Sequence, residues 1–147
     1  MGKNQGAMSK LFLIAGPCVV ESEELCLQVA REVKAICEDL KIDYIFKASY
    51  KKANRTKLDS FTTIGEEKAL EILRKVKQEV GVPVLTDVHE SADCGKVAEY
   101  VDYLQIPAFL CRQTALLLAA GKTGKGINIK KGQFLSPQAM QFPAEKV

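Results

Sequence analysis

Short apolar runs alternate along this chain with longer stretches in which apolar residues recur every three or four positions. The first run, residues 11–15, stops at Gly16-Pro17 and reads as a buried strand entering a turn. Ser22 then offers a helix N-cap, Glu23 and Glu24 suit a first turn, and Leu25, Val29, Val33, Ile36 and Leu40 follow at helical spacing. Residues 43–49 form a second strand. The next helix covers 66–80, with Ala69, Leu70, Leu73, Val76 and Val80 on one face, Gly81 as its stop and Pro83 unable to extend it. Further strands are predicted over 82–88, 101–108 and 126–130, and further helices over 91–98 and 114–120. Ser136-Pro137, a cap followed by a first-turn proline, opens a fifth helix.

Five strand–helix units in alternation imply an α/β fold with a parallel sheet and right-handed crossovers. The strands read as continuously apolar, as expected where both faces are covered. Two architectures fit: an open doubly wound sheet, or the first five units of a (β/α)8 TIM barrel. A closed barrel takes roughly 250 residues, so the 147 residues here cannot close one. No GxGxxG follows the first strand and no P-loop is present, which speaks against a nucleotide site.

Composition narrows the class. At 147 residues and 47% hydrophobic, the chain can build one domain with a real core. A net charge of +3 and few aromatic residues argue against nucleic-acid binding. No apolar run is long enough to span a bilayer, and no secretory signal pattern opens the chain. The five cysteines form no CxxC pair, and their odd number points to reduced thiols in the cytoplasm. Cys26 and Cys37 fall on the buried face of the first helix, where cysteine acts as a small hydrophobe. Residues 1–10 are polar and unpatterned, a disordered leader or tag preceding a single domain over 11–147.

The richest chemistry lies in FKASYKKANRT, residues 46–56. Lys47, Lys51, Lys52 and Arg55 fall within it, Asn54 and Thr56 add neutral donors, and no acid follows until Asp59. Arginine offers a planar fork to phosphate or carboxylate, and lysine a movable point charge. A small, highly anionic ligand suits such a cluster, although a solvated basic loop has the same composition. Strand-to-helix connections normally take about 2–6 residues, and this one runs from 50 to 65. The other strands also end in polar groups. Cys18 follows the first, Asp87 and His89 end the third, Gln105 lies in the fourth with Arg112 beyond it, and Lys130 and Lys131 end the fifth. In both architectures that edge binds ligands. Singly, Asp87 also fits a turn cap and His89 an oriented structural imidazole. One thiolate at Cys18 does not make a metal site, since zinc and similar ions take about three or four protein ligands.

The motifs IAGPCVVES, FKASYKKANRTKLDSF, LTDVHE, LQIPAFLCRQT and NIKKGQFLSP, in that order, resemble the 3-deoxy-D-manno-octulosonate 8-phosphate synthases from about residue 11 to the last. The related 3-deoxy-7-phosphoheptulonate synthases share an AGPC-like strand but carry a KPRTS-like motif in place of KANRT. The resemblance implies a (β/α)8 barrel that condenses phosphoenolpyruvate with arabinose 5-phosphate for lipopolysaccharide synthesis. The enol carbon attacks the sugar aldehyde, water adds at the next carbon, and C–O cleavage expels phosphate.

Carried over by motif, Lys47, Lys52 and Lys130 would hold phosphoenolpyruvate, while Asn54, Arg55 and Thr56 would hold the sugar phosphate. Asp87 and Gln105 would line the sugar site and Arg112 would add positive charge nearby. Lys52, Asp87 and Lys130 would form the catalytic set. Cys18 matches the metal ligand of the metal-dependent class, where the metal-independent class has Asn. This implies a divalent ion (manganese, iron or zinc) and no organic cofactor. The resemblance further implies a cytoplasmic homotetramer acting on small phosphorylated substrates, without nucleic-acid or membrane partners.

Three features depart from the family pattern. Ala115 stands where Asp is usual, Thr62-Thr63-Ile64-Gly65 replaces RGxG, and the chain stops as the fifth helix begins, before the family's remaining His, Glu and Asp ligands. A catalytically inactive half-barrel that binds a phosphorylated ligand or a partner chain is therefore a rival reading, as is the heptulosonate synthase.

Overall fold

The computed structural model describes residues 11–147; the leader expected over residues 1–10 lies outside the described residues. Five parallel strands, β1 (Phe12–Ala15), β2 (Asp43–Lys47), β3 (Val84–Asp87), β4 (Tyr103–Ile106) and β5 (Gly126–Ile129), pair in the order 1-2-3-4-5. Between them run α1 (Glu23–Leu40), α2 (Glu66–Val80), α3 (Asp93–Ala98) and α4 (Thr114–Gly121), and a short α5 (Gln141–Ala144) follows β5. This order decides between the two predicted architectures. A doubly wound sheet reverses direction at a switch point, whereas here each crossover advances by one strand the same way. With one hand of crossover, all the helices fall on one face. The described residues form a partial (β/α) barrel of five units.

Local signals account for the long helices. The Ser22 hydroxyl accepts from the Leu25 N–H at 3.2 Å and starts α1. Gly81, in the left-handed region at φ 69, ends α2. The fifth helix begins indirectly. Ser136 does accept from the Ala139 N–H, but it opens a 3-10 turn (Gln138–Met140) that leads into only four α-helical residues.

Side chains alternate across the strands, and the two faces differ sharply. Phe46, Val84, Leu104 and Ile106 pack against Leu70, Leu73, Val76 and Leu117 of the helices in one apolar core. The opposite face carries Lys47, Leu85, Asp87, Tyr103, Gln105 and Asn128, by the same alternation. The expectation of continuously apolar strands is corrected accordingly: helices cover one face only, and the other meets a polar site. The expectation that β1 is buried is corrected as well. At the sheet edge, Phe12 is 42% exposed and Leu13 38% exposed. Where β1 leaves the sheet, Gly16 lies flat against β2; a Cβ there would sit 2.1 Å from the Lys47 carbonyl oxygen. Among the described residues, no helix is long and apolar enough to cross a membrane.

Candidate functional site

The chain stays extended past the end of β2. Ala48 donates to the Leu85 carbonyl at 3.3 Å, and Ser49 forms a parallel bridge with Val19. Lys47 and Ser49 therefore share the polar face. The fully buried Ser49 hydroxyl is the centre of the site. It accepts from Lys47 Nζ at 2.9 Å and from Lys52 Nζ at 2.8 Å, and it donates to Oδ2 of Asp87. Lys47 Nζ also lies 3.1 Å from that carboxylate oxygen.

Sheet register builds the other side. Asp87, Gln105 and Asn128 are direct neighbours on β3, β4 and β5. The Gln105 amide donates to Asp87 Oδ1, and Asn128 donates to Gln105 Oε1 at 2.7 Å. Asn128 thus orients the Gln105 amide so that its NH2 faces the carboxylate. Burial works against the Asp87 charge, but the Lys47 ammonium and the bonds from Ser49 and Gln105 outweigh it and hold the carboxyl below its ordinary 3.8.

These groups open onto a cavity of about 180 Å³ lined by Lys47, Lys52, Asn54, Asp87, His89 and Lys130, among others. Three ammonium groups against one carboxylate make it a site for an anion. Burial holds the His89 imidazole below the ordinary histidine value, against the pull of Asp87, and its buried Nδ1 has no hydrogen-bond partner. A larger hollow of about 430 Å³ on α2 is lined by Glu23, Glu71, Arg74 and Lys75. Those charges pair with one another, Lys75 with Glu23 and Arg74 with Glu71, so that hollow lacks the unbalanced charge of the first.

The remaining sequence candidates divide. Gln105 lies beneath Asp87, only 4% exposed. Cys18 presents an exposed thiol beside the lysines. A hydrogen bond with Lys52 depresses its pKa against a smaller burial effect, and the charges of Lys52, Lys47 and Arg55 add to the depression. Arg55 is exposed and its Nε donates to the Phe61 carbonyl at 2.9 Å, folding the loop on itself. Thr56 is exposed in the same loop and does not line the cavity. Arg112 lines a separate hollow with Leu135, Phe142 and Lys146. Among the described residues, no three His, Cys, Asp or Glu side chains come together as a metal site.

A model of the DAHP synthetase I family matches residues 2–147. The chain belongs to the DAHP synthetase I family. It is 58% identical over 135 residues to a 2-dehydro-3-deoxyphosphooctonate aldolase of Cyanothece sp., covering 92% of this chain and 50% of that protein. The protein of the same name from Koribacter versatilis is 58% identical over 138 residues, 94% of this chain and 50% of its own. That of Desulfatibacillum aliphaticivorans is 52% identical over 144 residues, 98% and 53%. The chain spans about half the length of these curated relatives.

In this DAHP synthetase I family member, two site residues escaped the sequence reading. Ser49 stands two positions after Lys47, so strand periodicity alone places it on the same face. Asn128 is a lone polar residue between Ile127 and Ile129, but its role depends on register, which no local pattern reveals. Ala115 is exposed on α4, and Thr63 donates to the Tyr50 carbonyl at 2.8 Å, closing the base of the long loop.

Proposed function

We propose that this chain is the N-terminal portion of an enzyme that condenses phosphoenolpyruvate with arabinose 5-phosphate. The products are 3-deoxy-D-manno-octulosonate 8-phosphate, a lipopolysaccharide precursor, and phosphate. The observation that carries the reading is the meeting of Lys47 and Lys52 on one Ser49 hydroxyl, with Lys130 on the same cavity. The relatives' name describes a phosphorylated eight-carbon 2-oxo acid and an aldol reaction. A three-carbon enol phosphate and a five-carbon aldose phosphate supply those eight carbons.

The geometry suits two anionic substrates held side by side. Lys47, Lys52 and Lys130 offset the charge of phosphoenolpyruvate and stabilise negative charge that develops as C–C bond formation proceeds. Asn54 and Arg55, with Thr56, take the sugar phosphate from the loop. Asp87 is ionised and already accepts from Ser49, Gln105 and Lys47. It keeps the lysine ammonium groups in place and receives hydroxyl donors of the sugar. Gln105, held by Asn128, supports it from below.

In this reading Cys18 supplies one thiolate ligand to a divalent ion. The described residues alone do not fit a metal, because they bring no second and third ligand beside the thiol and surround it with cations instead. Holding an ion would therefore take donors beyond these, since a divalent ion wants about three or four protein ligands. The reading also carries with it a cytoplasmic homo-oligomer.

Two measurements on the protein test the proposal. Calorimetry with phosphoenolpyruvate should show binding. An assay for released phosphate should show turnover with arabinose 5-phosphate and little with a four-carbon aldose phosphate. Turnover only with the four-carbon sugar favours the heptulosonate reading, binding without any turnover favours an inactive phospho-ligand module, and absence of binding removes all three.

A further inference from the structure

Lys51 and Lys52 are adjacent, yet their side chains serve different places. Lys52 turns to Ser49 and the cavity. Lys51 turns to Asp93, the first residue of α3, at 2.8 Å, and to Glu66, the first residue of α2, at 3.2 Å. Its ammonium also lies 5.4 Å from the centre of the Tyr50 ring. Tyr50 is itself buried at 1% exposure and donates its hydroxyl to the same Asp93 oxygen at 3.1 Å. The Tyr50 N–H reaches Thr86 Oγ1 at 3.1 Å, and its carbonyl accepts from Thr63. Two residues on, the Lys52 N–H donates to the Thr62 carbonyl at 3.0 Å. The two ends of the 50–65 loop are thus fastened together, and the stem is fastened to two helices.

We propose that Lys51 and Asp93 are a positioning pair that clamps the stem of this loop and so aims Lys52 and Asn54 into the cavity. The proposal rests on the anion-site reading above and adds a division of labour to it. Two neighbouring ammonium groups repel and would both lean toward a bound anion. Carboxylates outside the cavity take one of them, which leaves the other free to face the ligand. Burial works against the Lys51 charge, but the bonds to Asp93 and Glu66 outweigh it and hold the ammonium above the ordinary lysine range. Lys51 is therefore a fixed cation with its own partners, and the ligand does not need it.

The sign of one effect separates this from plain electrostatics. Asp93→Asn removes a negative charge near an anion site, so long-range attraction alone predicts tighter anion binding. A clamp predicts weaker binding. Inorganic phosphate is titrated calorimetrically into the full chain and into Asp93→Asn, Lys51→Met, Lys51→Arg and the double variant, at fixed ionic strength. Lys57→Met, a cation lost from an exposed position in the same loop, is the control. The clamp predicts that Asp93→Asn and Lys51→Met each weaken phosphate binding by about 5- to 20-fold, that the double variant is no weaker than either, and that Lys51→Arg stays within about twofold of wild type. Unchanged or tighter binding in Asp93→Asn overturns it, as does a loss in Lys51→Met no larger than in Lys57→Met. Should Asp93→Asn fail to fold, the Lys51 pair decides, because equal affinity in Lys51→Met and Lys51→Arg also overturns the clamp. Phosphate binding that survives in every variant sinks the clamp alone, whereas a wild-type chain that ignores phosphate sinks the anion site and the clamp together.

Discussion

The Lys47 ammonium and the Asp87 carboxylate, on adjacent strands, lie 3.1 Å apart and share the Ser49 hydroxyl. Both side chains are largely buried, at 18% and 10% exposure, so neither can fully exchange its partner for water. Removing one charge strands the other. Asp87→Asn should cost roughly 2–3 kcal/mol of stability, near the low end for a broken buried pair because Lys47 keeps some solvent. Urea denaturation at neutral pH measures it.

Acid titration tests the same pair by another route. The folded Asp87 carboxyl lies below its ordinary 3.8. The charged form is therefore favoured by folding, and this contribution is complete above the ordinary value. It is lost as the pH falls through the lower, folded value. Stability measured against pH should show a steeper acid decline in wild type than in Asp87→Asn. Parallel curves would show that Asp87 titrates normally.

Lys52→Met and Arg55→Ala should separate the two substrates. In the proposed enzyme, each change removes a charge-assisted contact worth roughly 1.5–3 kcal/mol. Lys52→Met should weaken phosphoenolpyruvate binding about 10- to 100-fold. Arg55→Ala should act mainly on the apparent affinity for arabinose 5-phosphate. Wild-type kinetics in both variants would mean that the loop is only solvated.

Cys18 is the one exposed thiol among five; the other four are buried. Protein treated with a chelator should therefore lose one thiol quickly to iodoacetamide while still folded. The pH midpoint of that reaction should fall below the ordinary 9.0, because Lys52 bonds to the sulfur and adjacent cations favour the thiolate. Lys52→Met should move the midpoint upward. A midpoint that ignores Lys52 contradicts the arrangement.

Two glycines make a graded test of the sheet. A methyl group at Gly16 meets the Lys47 carbonyl oxygen at 2.1 Å, and main chain cannot step aside. At Gly126 the obstacle is the Tyr103 ring at 2.3 Å, which can rotate. Gly16→Ala should therefore cost about 2–3 kcal/mol and Gly126→Ala under about 1.5 kcal/mol. Thermal denaturation of the two variants gives the order directly, and the reverse order would contradict these contacts.

The legible parts of the chain share a property: their signals are local. Ser22 and Gly81 bracket helices because capping is decided within a few residues. Lys47, Asp87 and Lys130 could be placed at one edge because each follows an apolar run, and parallel strands all end on the same side. The illegible parts depend on neighbours distant in sequence. Ser49 gained its role from Lys52 and Asp87 together, and Asn128 from its register with Gln105. The apolar letters of β1 suggested burial, yet burial there depends on what lies beyond its unpaired side.

The thiol of Cys18 hangs from main chain rather than from packed side chains. The Cys18 carbonyl accepts from the Ser49 N–H at 3.4 Å, and Gly16 is pressed against Lys47 two residues earlier. Position 18 behaves as a socket on a rigid bracket. What is plugged into it can change without disturbing the bracket, because the contacts that fix residues 16–18 are made by main chain on both sides.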